Sequence, residues 1–368
     1  MNESSAYEVD FLPVGSGDKS GDAIACRWKD GDSYKVLVYD GGTKESGQAL
    51  VNHIKKYYGV SKVDYLVNSH PDADHASGLQ IVLEQLEVGE VWMHRPWEYS
   101  SLICNYFHDG RITDNSLAER LKEKMAAAHA LECLAIEKSI PIFEPFQGSY
   151  IGPFLVLSPQ KDWYIHDLIQ AFEKSPEQKS TVVEALDRAY ESISEAIRKA
   201  INWVTEKWDS ESLRENVSTS AENESSTILL ANFGDRGVLL TGDSGIQALK
   251  SAADYADSLG YSLSSNLTFI QVPHHGSRNN VSPSILDRIV GLKKDQQEQN
   301  YTKTAFVSAS KGSTTHPRRM VVNAFLRRGA KVIATQGSVK WHHYNMPLRD
   351  DFSSVSSMSF FSEVESWD

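Results

Sequence analysis

Four apolar runs, far apart in the chain, each end on carboxylates or imidazoles, and this limits the folds open to the sequence more than any other feature. Val63 to Ser69 runs directly into His70-Pro71-Asp72-Ala73-Asp74-His75. Val38-Tyr39 leads into Asp40-Gly41-Gly42, and Leu239-Leu240 into Thr241-Gly242-Asp243. Leu267 to Val272 ends at Pro273-His274-His275-Gly276-Ser277. A loop at a strand's end lets alternate side chains converge on one point. Imidazole nitrogen and carboxylate oxygen are the ligands that zinc, manganese and iron prefer. A turn capped by Asp72 or Asp74 would explain a single His–Asp pair; two histidines and two carboxylates in so short a run exceed what a cap requires. Gly-Asp after a strand is by itself an ordinary turn, and His-Pro at Thr314-Thr315-His316-Pro317 an ordinary helix start. Their order along the chain gives them weight.

The pattern between these points predicts the architecture. Tyr7 to Val14, Ala23 to Trp28 and Tyr34 to Asp40 are short β-rich runs split by Gly, Asp and Ser. Gly47 to Tyr58 and Ala76 to Leu86 have helical spacing, and Glu90 to His94 reads as a strand. From about Tyr99 to Glu224 the character changes. Asp114 to Lys138 is a long helical run, Pro153 to Leu157 a lone strand, and Asp162 to Trp208 an almost continuous helical pattern. The polar stretch Asp209 to Ser226 reads as a loop. Thr227 to Ala231 and Gly237 to Leu240 form a hairpin, and strands then alternate with helices to the end. Strand clusters at both ends, with helices between strands, imply an α/β fold of two packed sheets covered by helices. The expected division is a first half over 1–98, a mostly helical insertion with one or two core strands over 99–226, and a second half over 227–368.

The three cysteines, Cys26, Cys104 and Cys133, are too few and too scattered for a disulfide framework or a CxxC zinc site. The start MNESSAYEVDF lacks the basic and apolar regions of a secretory signal, and no run approaches the length of a membrane helix. The chain thus reads as cytoplasmic, with no membrane partner. The net charge of −12 argues against a grip on long duplex DNA. Local basic clusters at Arg318, Arg319, Arg327, Arg328 and Lys331 are read mainly as a solvated helix face.

The HPDADH run, followed in order by LLTGD, VPHHGS and THP, resembles the metallo-β-lactamase superfamily. The particular wording is similar to that of the ComEC-type competence nuclease domain and its free-standing relatives. The likeness covers roughly Val9 to His94 and Thr227 to Thr335. It implies an αββα sandwich of two mixed sheets holding one or two divalent ions, zinc or manganese. It also implies that His70 and Asp72 bind one ion, and that Asp74 and His75, with His274 or His275, bind a second. Asp243 would bridge the two ions and Asp40 would orient ligands from behind. His316 would contact phosphate or donate a proton. Two departures stand out: Asp72 replaces the usual second histidine, and the third histidine of the first metal site has no clear equivalent. His94, His108 and His166 lie in the right interval, His94 being the best placed. The substitution of oxygen for nitrogen favours manganese.

The expected chemistry is metal-assisted hydrolysis of a phosphodiester in DNA or RNA. Asp74 or Asp243 would orient the water and His316 would act on the leaving oxygen. Ser277, Ser310 and Lys311 lie near enough in sequence to contact phosphate. Five tryptophans, Trp92, Trp97, Trp163, Trp203 and Trp208, offer stacking surfaces, though packing accounts for them more simply. A small-molecule hydrolase acting on a cyclic nucleotide, a thioester or a lactam is the alternative, since one fold hosts many chemistries. The helical insertion could serve self-association or recruitment by a protein partner, as in a bacterial defence or DNA-processing system.

Overall fold

The computed structural model describes residues 5–16, 21–107, 112–176, 202–297 and 300–367. The first sheet contains β1 (Tyr7–Phe11), β2 (Ala23–Asp30), β3 (Ser33–Gly41), β4 (Lys62–Val67), β5 (Glu87–Trp92), β6 (Ile142–Phe143) and β15 (Lys340–Tyr344), in the order β15-β1-β2-β3-β4-β5-β6. The second contains β7 (Tyr150–Ile151), β8 (Phe154–Ser158), β10 (Ile228–Phe233), β11 (Arg236–Leu240), β12 (Leu267–Gln271), β13 (Lys303–Val307) and β14 (Ala330–Ala334), in the order β14-β13-β12-β11-β10-β8-β7. A small ribbon pairs β9 (Trp203–Thr205) with β16 (Glu363–Glu365).

The two sheets repeat one plan. In the first, β15, β1, β2 and β3 are antiparallel, and β3, β4, β5 and β6 run parallel. In the second, β7, β8, β10 and β11 are antiparallel, and β11 to β14 run parallel. Parallel strands need helical crossovers, which cover the outer faces. The core is therefore layered. Val9, Phe11, Leu37, Tyr39, Phe154, Leu229, Phe269 and Phe306 fill the space between the sheets. Leu50, Leu66, Leu79, Leu83, Leu121 and Leu131 belong to the outer core of the first sheet, and Leu239, Leu249, Leu286, Val321 and Phe325 to that of the second. This is the αββα sandwich that the strand pattern implies.

The middle of the chain departs from expectation. The run Asp114 to Lys138 is two helices, Asp114–Lys124 and Ala126–Glu137, broken at Met125 (φ −111°, ψ 41°). Thr113 and Ser116 cap the first reciprocally. Leu117, Leu121, Ala128 and Leu131 share the outer core of the first sheet, and β6 extends that sheet while β7 and β8 extend the other. The helical pattern over Asp162 to Trp208 survives in the described residues only from Lys161 to Ala171, and Trp203–Thr205 is a strand. Trp203-Val204-Thr205 is a β-rich triplet at the end of that pattern, and pairing with β16 sets its conformation. The remainder, 177–201, lies outside the described residues, as does His108. The hairpin of β10 and β11 is as expected, turning at Gly234 and Asp235.

Candidate metal centre

The site lies where carboxyl ends of parallel strands from both sheets meet, the usual place for ligands in such sheets. Three of its residues have left-handed backbones that side chains seldom accept: Asp40 (φ 58°), His274 (φ 44°) and His275 (φ 55°). Such strain persists only where surrounding contacts impose it, and it clusters at functional sites. One close approach positions the HPDADH segment. The helix Ala73–Gln85 touches the end of β3 through Gly78, where a Cβ would sit 1.9 Å from the Gly41 carbonyl oxygen. Asp72 occupies the N-cap position of that helix, yet its side chain makes no capping bond. The capping explanation for Asp72 therefore fails, and its carboxylate faces the site instead.

Asp243 is the centre of the cluster. The Nε2 atoms of His75, His274, His275 and His70 lie 3.3, 3.7, 3.7 and 3.8 Å from its Oδ2. Each ring is held from behind through Nδ1. His75 Nδ1 donates to Asp40 Oδ2 at 2.9 Å, and His275 Nδ1 to the Ser308 carbonyl at 3.2 Å. Ser69 Oγ gives its own proton to Asp40 at 2.6 Å, so it accepts from His70 Nδ1 at 2.9 Å. Asn280 donates its amide to the Asp243 carbonyl at 2.8 Å, which turns its Oδ1 to accept from His274 Nδ1 at 2.8 Å. All four imidazoles thus present Nε2 inward, the orientation of a metal ligand. Nε2 of His70, Nε2 of His75 and Oδ1 of Asp243 are buried without a hydrogen-bond partner. Buried polar atoms are seldom left so, and a cation satisfies all three. The residues present therefore fit the divalent ions that the fold implies.

Electrostatics point the same way. Burial opposes charge on Asp243, but His75, His274 and His275 hold its carboxyl well below the usual range. Burial likewise disfavours a charged His75, yet Asp243 and Asp40 outweigh it and hold the imidazole well above its ordinary value. Negative charge dominates and calls for cations.

Other expected residues fall as follows. Asp74 joins His75 and His275 in one group of potential ligand atoms, within 4.8 Å of one another. Asp72 Oδ2 is 3.7 Å from His70 Nε2, and its other oxygen meets Lys174. His274 and His275 both face Asp243, so neither is excluded as a ligand. His316 stacks over His274 with ring centroids 6.4 Å apart; burial, with His275 and His274 adding to it, pushes its pKa down to about 3. Ser277 and Lys311 are not brought to the cluster by any contact described. Ser277 Oγ accepts from the Asn279 amide at 3.3 Å, and exposed Lys311 lays its stem against Gly337. His94 is not a ligand candidate: it is buried between Phe146 and Tyr164, near Thr227, and burial takes its pKa to about 3. Trp97 is a core residue donating to Glu132.

Three features were invisible in the sequence. Asp22 is buried and forms a potential ligand group with His75 and Asp243. Burial, and behind it the charges of Asp243 and Asp40, outweigh His75 and raise its pKa to about 7. Gly21 makes this possible, because a Cβ there would meet the Asp74 carbonyl at 2.0 Å. Gln271 donates to Asp22 at 2.7 Å and accepts from the amides of Thr241 and Gly242 at 2.8 and 3.1 Å, fixing the turn before Asp243. The stretch Asp209 to Ser226, expected as a loop, contains the helix Ala221–Glu224 and leads into Thr227, which joins the two halves. The Thr227 amide donates to the Ser69 carbonyl at 2.9 Å, and the Tyr39 hydroxyl donates to the Thr227 carbonyl at 2.6 Å.

The layered sheets with this strand-end cluster are the metallo-β-lactamase fold. A family model described as the metallo-beta-lactamase superfamily matches residues 31–102, a span that includes Asp40 and the whole HPDADH segment. No curated protein matches the sequence. Among solved structures, the chain is similar to the metallo-beta-lactamase fold protein YhfI from Bacillus subtilis, with 10% identity over 92% of this chain and 100% of that one, TM-score 0.40. It is similar to a diphosphatase from the PhnP family, with 11% identity over 91% and 98%, TM-score 0.35. A third is a metallo beta-lactamase from Hirschia baltica, with 10% identity over 72% and 85%, TM-score 0.29. No helix among the described residues is long and apolar enough to cross a membrane.

Proposed function

We infer that the chain is a metal-dependent hydrolase whose substrate is a phosphodiester, with single-stranded or short nucleic acid as the natural class. The observation that carries this reading is the set of four imidazoles, each fixed through Nδ1, with Nε2 turned toward one carboxylate oxygen of Asp243. His70 and Asp72 would hold one ion, Asp74, His75 and a histidine of the 274–275 pair a second, and Asp243 would span both. When bound, divalent ions supply Lewis acidity and lower the pKa of water. The chain's own residues do the rest. Asp40 and Ser69 hold His75 and His70 in one tautomer. Asp74, half-buried at the edge of the cluster, would accept a proton from an attacking water. His316 is neutral near pH 7, which suits hydrogen bonding to a phosphate oxygen better than giving up a stored proton.

The net charge of −12 weighs against long duplex substrates, and the likeness to competence nucleases favours DNA among the shorter ones. The test is metal analysis of purified protein, then chelation and add-back of manganese or zinc, with turnover followed on single-stranded DNA and on bis(p-nitrophenyl) phosphate. Cleavage of both, lost on chelation and restored by metal, is the expected result. Turnover of the small diester alone would move the reading to a small-molecule phosphodiesterase. Metal binding with no turnover of either would overturn the phosphodiester assignment.

A further inference from the structure

Lys174 comes from the middle of the chain, outside every motif, yet its ammonium rests on Asp72 Oδ1 at the site. Among the described residues it is the one lysine or arginine in an ion pair with a carboxylate of the cluster. Its position is built. Phe172 is buried and packs edge-on to Tyr164, with ring centroids 6.2 Å apart. On the other side, Ser175 is buried, and its hydroxyl donates to the Ile169 carbonyl at 2.6 Å. Between them, the Lys174 amide donates to Glu222 Oε1 at 3.1 Å. Glu222 belongs to the short helix Ala221–Glu224, whose Asn223 lies 3.2 Å from His274 Nδ1. The backbone at 174 is thus tied to the same scaffold that orients a ligand, while the side chain remains partly exposed, at 29%.

Charge says what such a lysine is for. Asp22, Asp40, Asp72, Asp74 and Asp243 surround the cluster. With the pKa of Asp22 raised to about 7, the other four carboxylates already balance the charge of two divalent ions, so with neutral imidazoles the loaded pocket offers an anion no net positive charge. A phosphodiester would enter as one more anion. An ammonium on a flexible stem is a point charge suited to phosphate oxygen, and it can swing between partners without moving the backbone.

We propose that Lys174 is the substrate-phosphate receptor of this site, turning from Asp72 to an anionic oxygen of the phosphodiester when metal occupies the cluster. This rests on the phosphodiesterase reading above, and the experiment keeps the two separable. The metal-loaded wild type, Lys174→Met and Lys174→Arg are compared on bis(p-nitrophenyl) phosphate, an anion, and on dimethyl p-nitrophenyl phosphate, a neutral triester. Binding of dimethyl phosphate is measured by calorimetry, and metal content and melting temperature are recorded for each protein.

Lys174→Met should raise KM for the diester and Kd for dimethyl phosphate about 10- to 100-fold, the usual worth of a charge-assisted contact. Turnover of the triester should stay within about 2-fold, since a neutral ester offers no charge to pair. Lys174→Arg should restore most of the loss. Unchanged diester KM and dimethyl phosphate binding, with metal affinity altered, would make Lys174 a mere counter-ion of Asp72 and overturn the proposal. If the wild type cleaves only the triester, or neither ester, the phosphodiesterase reading falls, while dimethyl phosphate binding still decides the role of the lysine. Should Lys174→Met melt early, Lys174→Gln carries the same comparison.

Discussion

Replacing Asp40 by Asn tests the site from behind, without touching a group that faces the metal. Asp40 is fully buried and accepts four bonds: from the Ser69 amide at 2.7 Å, the Ser69 hydroxyl at 2.6 Å, His75 Nδ1 at 2.9 Å and the Asn68 side-chain amide at 3.4 Å. Asn offers one acceptor oxygen and an amide that can only donate. At least one of those donors then faces another donor. Losing a charge-assisted bond and stranding a buried donor costs about 1.5–3 kcal/mol. If the stranded group is His75, its Nε2 lone pair is no longer held toward the cluster, and the loss appears as metal affinity. The same energy then corresponds to roughly 10- to 150-fold in Kd, in keeping with what ligand-orienting carboxylates are generally worth. The assay is competitive titration of zinc or manganese against a chromophoric chelator, with thermal melts in EDTA alongside. The expected result is weaker metal binding together with a lower melting temperature for the metal-free protein. An Asp40→Asn protein that binds metal within about 2-fold of wild type would refute the claim that Asp40 sets the tautomer of His75.

Three further outcomes follow from the same geometry. Asp243→Ala removes the oxygen that four imidazoles face, so turnover should vanish and metal content should fall while circular dichroism is unchanged; retained full activity would contradict the bridging role. Gly78→Ala would place a methyl 1.9 Å from the Gly41 carbonyl oxygen, so it should destabilise the fold by about 1–3 kcal/mol or more in urea melts, and a neutral result would contradict the close helix–strand contact. Glu224 accepts from the amides of Ala248 and Gln247 at 2.7 and 3.3 Å, and burial, outweighing these bonds, raises its pKa to about 7. Its folded pKa lies above the unfolded value, so its contribution to stability is present at low pH and is lost as pH rises from about 4.5 through about 7. Glu224→Gln should gain on wild type by roughly 3 kcal/mol between pH 4.5 and 8, read from melts at each pH, and a pH-independent difference would contradict the burial argument.

The part of the site that could be read in the sequence is the part that is contiguous or ends a strand. HPDADH announces itself because its groups are neighbours in the chain, and Asp40, Asp243 and the 274–275 pair because each follows an apolar run. Asp22 ends a Gly-, Ser- and Asp-rich stretch that looks like any turn, and only the close approach at Gly21 reveals it. Lys174, Gln271 and Thr227 act through partners about 30 to 250 residues away, a relation that periodicity does not encode. The same limit explains the middle of the chain. Its helices were legible from composition, but that they roof the first sheet, and that Trp203–Thr205 is a strand, depends on tertiary pairing.

The strand β15 crosses back from the second half to lie beside β1, pairing Tyr7 with Tyr344. One of the earliest strands therefore acquires its last neighbour only when residues some 330 positions later are available. Until then, β1 presents an open row of amides and carbonyls to any passing chain. Such long-range closure is slow, because loop entropy must be met before the contact repays it. A ribosome-bound or C-terminally clipped form should accordingly be the aggregation-prone species. Fusion or truncation near Lys340–Tyr344 should harm solubility well before it disturbs any ligand of the metal.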